Sequence, residues 1–360
     1  QALLPVAPDL LLTDLQGIKK RQKATEWELA DREVDEKFDT DKHNFLARGG
    51  QMIYLHLLQG LLHSDGAGYD DREVIEKLLA HMLQSAGREV QILADFVQKE
   101  WESQRANDIK PKAFNMGYIQ EGFEARSERF VREIRNFLNC DIHPIARIEL
   151  LSQGVVLSLL RAMHLVAAKK VNPMGNEPLW VMDMSGMGGT SNIAKLASAS
   201  YAAAYNSFIS AMTMIYDEKE TDKSKRFEKI QKGKQESADI FKNLSKELKL
   251  VIPPRGSYER FSLPESLARY LVLAMIAPGK KVTLDSFMDR LYEHFRIVIA
   301  PAQYRRAIED GSWKSSKDMA DYFEINGRCF QDFLKQCGFL RDLSDATAIV
   351  ENPYKEVALE

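Results

Sequence analysis

The sequence predicts a mainly α protein: an N-terminal multi-helix bundle over residues 1–252, then a smaller domain of helices and one β-hairpin over 258–360. Three observations carry that expectation. Apolar residues recur at i, i+3, i+4 and i+7 through most of the chain up to residue 252, and alternating strand-type runs are few. Pro253-Pro254-Arg255-Gly256 is the strongest breaker cluster in the chain. Near the end, Phe339–Leu343 and Thr347–Val350 alternate around Ser344-Asp345-Ala346 as a hairpin would. With 360 residues, 45% of them hydrophobic and 28% charged, the chain has room for two domains and a sizeable core.

Residues 1–22 read as an arm, because Pro5 and Pro8 oppose a helix start while Leu10, Leu11, Leu12 and Leu15 offer a docking edge. Asn44–His63 carries Phe45, Met52, Leu55, Leu58 and Leu62 on one side and stops at Gly66 and Gly68. Asp70 and Asp71 then place acidic charge at the start of a helix over 72–104, whose stripe includes Leu78, Leu79, Met82, Leu93 and Trp101. Residues 111–122 connect to a helix over 123–139. Pro144 opens another through Lys170, apolar enough to be central. Leu179–Met182 reads as a short strand or an extended segment, followed by a glycine-rich loop at 183–191. Asn192–Tyr216 is an alanine-rich helix, suited to close packing and capped by Ser191 or Asn192. Over 217–249, ten Lys/Arg stand against eight Asp/Glu, which describes a mixed-charge helix or hinge; Phe227, Ile230 and Phe241 suggest that part of it docks.

Beyond the breaker cluster, Pro264 starts a helix over 265–277 that Pro278-Gly279 ends. Thr283 caps the next, with Leu284, Phe287, Met288, Leu291 and Phe295 inward. Gln303–Glu309 and Ser316–Tyr322 are shorter helical pieces. Asn326 reads as the cap of the last helix, with Phe330, Phe333, Leu334 and Cys337 buried and Gly338 at the C′ position.

A helix ending in Gly-Phe-Leu, then strand, Asp-containing turn and strand, resembles the winged helix-turn-helix family over about residues 258–355. The resemblance implies a last helix offered to a major groove and a wing near the backbone. The basic candidates it implies are Arg305, Arg306, Lys314, Lys317, Arg328, Lys335 and Arg341, with Gln331 on the same exposed face. Asp332 lies in the middle of that face and opposes phosphate. Winged helices also serve as plain protein-docking modules, so other protein subunits and double-stranded DNA both stay open as partners.

The formal net charge of −3 gives no global attraction to phosphate, so any nucleic-acid contact has to come from a local patch. Arg126, Arg129, Arg132 and Arg135 recur at i, i+3 and suit phosphate or an acidic partner, unless Glu124, Glu128 and Glu133 neutralise them. The loop Ser185–Ser191 lacks the Gly-Lys-Ser/Thr end of a phosphate-binding loop, so a nucleotide-dependent enzyme stands as the alternative rather than the main expectation. Asp183-x-Ser185 resembles the start of the metal-adhesion motif of von Willebrand A domains, but Met187 occupies the second serine position. The seven histidines form no zinc spacing, and Cys140 with His143 lacks an orienting group for nucleophilic catalysis. No cofactor or metal is expected.

Three cysteines without a CxxC point to a reducing, cytoplasmic setting. We find no basic leader and no run of 18 apolar residues, and so expect no membrane span; the start at Gln1 suggests a short missing upstream segment. The expected role is a non-enzymatic adaptor or DNA-associated subunit of a larger intracellular complex. Bacterial DNA processing or defence is one setting it would fit, and a pure scaffold is a further alternative.

Overall fold

The computed structural model describes residues 53, 56, 57, 60, 61, 68–86, 92, 124–186, 191–313, 319–344 and 347–358. The expected arm at 1–22, most of the helix at 44–63, the end of the helix at 72–104 and the connector at 111–122 lie outside them. What is described is mainly helical, as expected, with a few short strands. It forms two compact units: residues 1–148 with 357–360, and residues 149–356.

In the first unit, α1 (Gly68–Ala86) packs on α2 (Glu124–Leu138). Ile75, Leu78, Leu79 and Met82 are buried on α1; Phe130, Val131, Ile134, Phe137 and Leu138 are buried on α2, the i, i+3/i+4 spacing that puts an apolar stripe on one helix face. Gly60 approaches α2 so closely that a Cβ there would lie 2.3 Å from the Ser127 carbonyl oxygen. His56 stacks on Phe130 with ring centroids 5.5 Å apart, so its role is in the core.

The division between the units falls within α3 (Pro144–Val171). Among the described residues, α3 is the one helix long and apolar enough to cross a membrane by length and composition, and half of that window is buried inside the protein. In the second unit its Leu157, Leu160 and Leu165 are buried, as are Arg161 and His164. Of these, Arg161 and His164 meet Trp180 of β1 (Trp180–Val181). His164, Phe241 and Phe261 surround the indole, and Phe208 packs on Phe241 with centroids 4.9 Å apart. The Trp180 Nε1–H donates to His164 Nδ1 at 2.8 Å, which fixes the imidazole proton on Nε2.

Helix α4 (Asn192–Lys219) starts where Ser191 Oγ accepts from the Ala194 N–H, as the capping pattern predicts. Its small residues bring neighbours close: Ala194, Ala197 and Ala204 are all buried. Helices α5 (Lys223–Glu236) and α6 (Ala238–Glu247) fold back on α4. The segment expected as a mixed-charge helix or hinge holds two helices that meet at Ser237.

The boundary expected at Pro253–Gly256 lies inside the second unit. Here β2 (Val251–Ile252) pairs antiparallel with β3 (Arg260–Phe261), so the breaker cluster forms the loop of a hairpin instead of a linker. Farther on come α7 (Glu265–Met275), β4 (Lys281–Thr283), α8 (Leu284–Phe295), β5 (Ile297–Val298), α9 (Pro301–Glu309) and α10 (Ala320–Gln336). The hairpin β6 (Leu340–Ser344) and β7 (Thr347–Glu351) follows. Strand β5 runs parallel to β1, with Trp180 opposite Ile297 and Val181 opposite Val298. A shared core of Val181, Ile193, Ala197, Tyr292, Val298, Tyr304, Ala307 and Phe323 joins residues from both sides of the breaker cluster.

Strands β4, β7 and β6 form a three-stranded antiparallel sheet in that order. Thr283 caps α8 by accepting from the Ser286 N–H at 3.2 Å, as expected. Gly338 closes α10 at φ +79°, with its N–H bonded to the Lys335 carbonyl, again as expected. Asn326 differs. Rather than capping, it sits inside α10, fully buried, with Oδ1 accepting from the Met184 N–H at 2.7 Å. Its Nδ2 donates to the Met182 and Ile299 carbonyls at 2.9 and 2.8 Å. Its side-chain needs are met by backbone from elsewhere, so the helix runs straight through it. Gly327 beside it lets Ala300 approach, since a Cβ there would lie 3.1 Å from the Ala300 Cβ.

Candidate functional site

Helix α10 and its hairpin hold four of the residues expected to meet a partner, Arg328, Gln331, Lys335 and Arg341, and the arrangement is governed by carboxylates. The exposed side of α10 carries Asp321, Glu324 and Asp332 against Arg328 and Lys335. Arg328 lies 3.5 Å from Glu324, one helical turn back, with both side chains exposed. Lys335 donates to Asp342 of β6 at 2.7 Å. That bond raises the Lys335 pKa and lowers that of Asp342, each group favouring the other's charged form. Gln331 reaches the same carboxylate at 3.4 Å. Arg341 lies 3.3 Å from Glu351 on the facing strand, a cross-strand pair set by the hairpin register.

Arg306 is held more firmly. It donates to Glu293 at 3.0 Å, which raises its pKa, and its guanidinium lies 5.3 Å from the centroid of the buried Tyr292 ring. Arg296 lies over the same ring at 4.9 Å and pairs with Asp310 at 3.0 Å. Tyr292 in turn donates to Asp310 at 2.7 Å. Burial works against the charge on Asp310, yet hydrogen bonds from Ser312 and Tyr292 bring its pKa down to about 2. Arg306 is thus an exposed guanidinium held at the edge of this knot by Glu293 and the Tyr292 ring. Arg305 is exposed and has no ion-pair partner among the described residues. Lys314 and Lys317 lie outside the described residues.

The same side of α10 also exposes apolar surface. Tyr322 and Ile325 are 39% and 51% exposed and stand three residues apart, with half-buried Cys329 four residues beyond Ile325. The spacing puts all three along one stripe of the helix. The sequence reading, centred on charge, did not pick out this stripe; the i, i+3, i+7 spacing is the signal that would have found it.

The arginine string of α2 does not stay together as one free row. Arg126 and Arg129 are half-buried, whereas Arg132 and Arg135 are exposed. Arg135 pairs with Asp71 on α1, which joins the two helices. Glu133 is buried between them in sequence.

At the glycine-rich loop, residues 187–190 lie outside the described residues, but its entry is settled. Asp183 is buried and its carboxylate is fully engaged. Oδ1 accepts from the Ser185 N–H at 3.0 Å and the Ser185 hydroxyl at 2.6 Å, while Oδ2 accepts from Arg260 Nε at 2.7 Å. The Ser262 hydroxyl donates to the Asp183 carbonyl at 2.9 Å. These bonds tie β1 to β3, and they leave Asp183 positioned as a clamp rather than as a metal ligand. Among the described residues there is no group of three side chains that could hold a metal ion.

Cys140 is buried and donates to the Asn136 carbonyl at 3.3 Å, while His143 is exposed. The three cysteines are free thiols. A second polar cluster joins α4, α6 and the residue before β3: Tyr205 donates to Asp239 at 2.7 Å, and Glu259 receives Lys242 at 2.9 Å as well as Lys246. Burial first, then that bond to Asp239, pushes the Tyr205 phenol up to about 12, the behaviour of a structural donor. Compared with protein-family models, with curated proteins and with solved structures, the chain matches none.

Proposed function

We propose that the chain is a non-enzymatic subunit of a larger intracellular complex, and that it docks a protein partner through a winged-helix-like segment. Three helices, α7, α8 and α10, followed by the hairpin β6–β7, support the winged-helix reading, with β4 adding a third strand beside β7. Strand β5 and helix α9 stand between α8 and α10 as additions to that order. Three free cysteines favour a reducing compartment.

One observation carries the choice of protein over DNA. Arg306, Arg328, Lys335 and Arg341 each face a carboxylate of the chain, and between them Tyr322 and Ile325 stay exposed on α10. Phosphate contact would have to displace those carboxylates against their repulsion, whereas a protein surface can use the apolar stripe with a charged rim.

The test is duplex-DNA binding by fluorescence anisotropy with the whole chain across a salt series. Residues 254–360 alone are unsuitable, since they share a core with Val181, Ile193 and Ala197. The expected result is that Arg328→Glu with Lys335→Glu leaves any duplex affinity unchanged. Micromolar or tighter binding that weakens with salt and disappears in this variant would overturn the proposal. In parallel, a photo-crosslinker at Ile325 should trap a protein partner in native extract, and should trap none when Tyr322→Asp is added.

A further inference from the structure

The helix α5 has a property that the charge of the surrounding segment conceals. Lys223–Glu236 holds six Lys/Arg and two Glu, a net charge of +4 in a chain whose formal charge is −3. Its acidic neighbours sit before it, and two of them hold it in place: Asp217 pairs with Arg226 at 2.8 Å, and Glu220 pairs with Lys229. Asp222 caps its start by accepting from the N–H groups of Ser224 and Lys225. On the inner side, Gly233 is the one buried residue of α5, and a Cβ there would lie 2.9 Å from the Met212 sulfur of α4. The helix is therefore mounted firmly on α4 by one edge, with the rest turned to solvent.

What it shows to solvent is predominantly basic, with Glu228 and Glu236 also exposed, and carries one aromatic. Lys223, Lys225 and Lys232 are exposed and Lys234 is half-buried; Lys223 and Lys234 make no ion pair among the described residues, and Lys225 reaches Glu220 only through a longer-range attraction that favours the charged form of that carboxylate. Lys232 meets only Glu236, at 3.8 Å. Phe227 is 65% exposed, although its type would ordinarily be turned inward. At 100° per residue, Phe227 falls on the same flank as Lys223 and Lys234, four residues before it and seven after; Lys225 and Lys232 line the opposite flank. A cationic surface with an accessible ring is the combination that holds single-stranded nucleic acid: lysines track the phosphates and the ring stacks on a base. An anionic membrane fits less well, because an interfacial helix needs a broad apolar face and Phe227 is the single large exposed hydrophobic side chain on α5.

We infer that α5 is a binding surface for single-stranded nucleic acid, with Lys223, Lys225, Lys232 and Lys234 on the backbone and Phe227 against a base. This surface is separate from α10 and does not depend on what α10 docks.

The test uses the whole chain and a fluorescein-labelled oligothymidine of about 20 nucleotides, by anisotropy between about 50 and 200 mM salt. Four phosphate contacts predict that log K falls with log salt at a slope of about −3. Lys225→Glu with Lys232→Glu should weaken binding at least about tenfold, and Phe227→Ala about tenfold, the loss of one stacked base. Replacing the four lysines by arginine should keep binding, and Arg328→Glu with Lys335→Glu should not change it. Lys225, Lys232 and Phe227 are exposed, so thermal melts of the Lys225→Glu with Lys232→Glu and the Phe227→Ala variants should match the parent protein. A salt-independent or absent signal would overturn the inference. So would wild-type affinity in the Lys→Glu variant, or binding to phosphatidylserine vesicles without binding to the oligonucleotide. If Phe227→Ala had no effect while a duplex bound as tightly as the single strand, the single-strand assignment would fall.

Discussion

Replacing Asn326 by leucine tests whether the segments before and after the breaker cluster form one cooperative structure. The side chain has similar volume, but its loss leaves three backbone groups without their partner: the part-buried Met184 N–H and the buried Met182 and Ile299 carbonyls. A net hydrogen bond contributes about 1 kcal/mol, and an orphaned buried group costs about 1–3 kcal/mol. Three such losses, eased by partial relaxation, give a destabilisation of about 3–5 kcal/mol. For a unit of this size, about 2–4 °C of melting temperature follows each kcal/mol, so the midpoint should fall by about 6–20 °C. Asn326→Asp adds a sharper sign. An ionised carboxylate can still accept from Met184 but turns negative oxygen toward two carbonyls, so this variant should be the less stable of the two at neutral pH and recover on protonation in mild acid. Urea unfolding followed by both tryptophan fluorescence and far-ultraviolet circular dichroism would measure it. A loss under about 1 kcal/mol, or separate transitions for the two probes in the parent protein, would refute the argument that Asn326 locks a single unit.

Three further outcomes follow from the same unit. Burial, reinforced by the nearby Arg161 charge, lowers the His164 pKa well below its usual value. Its stabilising effect is complete above the unfolded pKa near 6.5 and is lost progressively as pH falls below it, whereas His164→Gln should remove that part of the slope in urea titrations. Asp183→Asn should cost about 3–5 kcal/mol by leaving Arg260 buried without its counter-charge; a neutral effect in thermal melts would show that solvent reaches the pair. Gly154→Ala puts a Cβ 2.1 Å from the Tyr270 ring, a clash that outweighs the roughly 1 kcal/mol gained in helix propensity, and combining it with Tyr270→Leu should restore part of the loss.

Features fixed by near neighbours were readable in the sequence. Ser191, Thr283 and Gly338 act within three or four residues, and each terminates its helix as read. Apolar periodicity likewise shows the helical character without tertiary knowledge. Asn326 was misread because its partners lie far away in the chain, and an Asn-Gly pair looks the same in a cap and in a buried junction. Pro253–Gly256 was misread because a hairpin loop and a linker share one composition; only the pairing of Val251 with Phe261 separates them. The basic candidates were legible as charges, but not their neutralisation: Lys335 meets Asp342 and Arg341 meets Glu351 only once the hairpin has formed. The net charge of α5 was hidden by averaging over 217–249, since its acidic neighbours fall in the turn before it and the helix after it.

The pairing of β1 with β5 also sets a timetable for synthesis. Trp180 and its partner Ile297 are 297 − 180 = 117 residues apart. At about 5–20 residues per second, a ribosome needs about 6–23 s to make the second strand after the first. Throughout that interval the strand edge of Trp180-Val181 has no partner, and the groups that Asn326 will satisfy wait longer still. The nascent chain thus carries an open edge for many seconds, the period in which a holdase or a premature docking partner could most easily compete with its own C-terminal half.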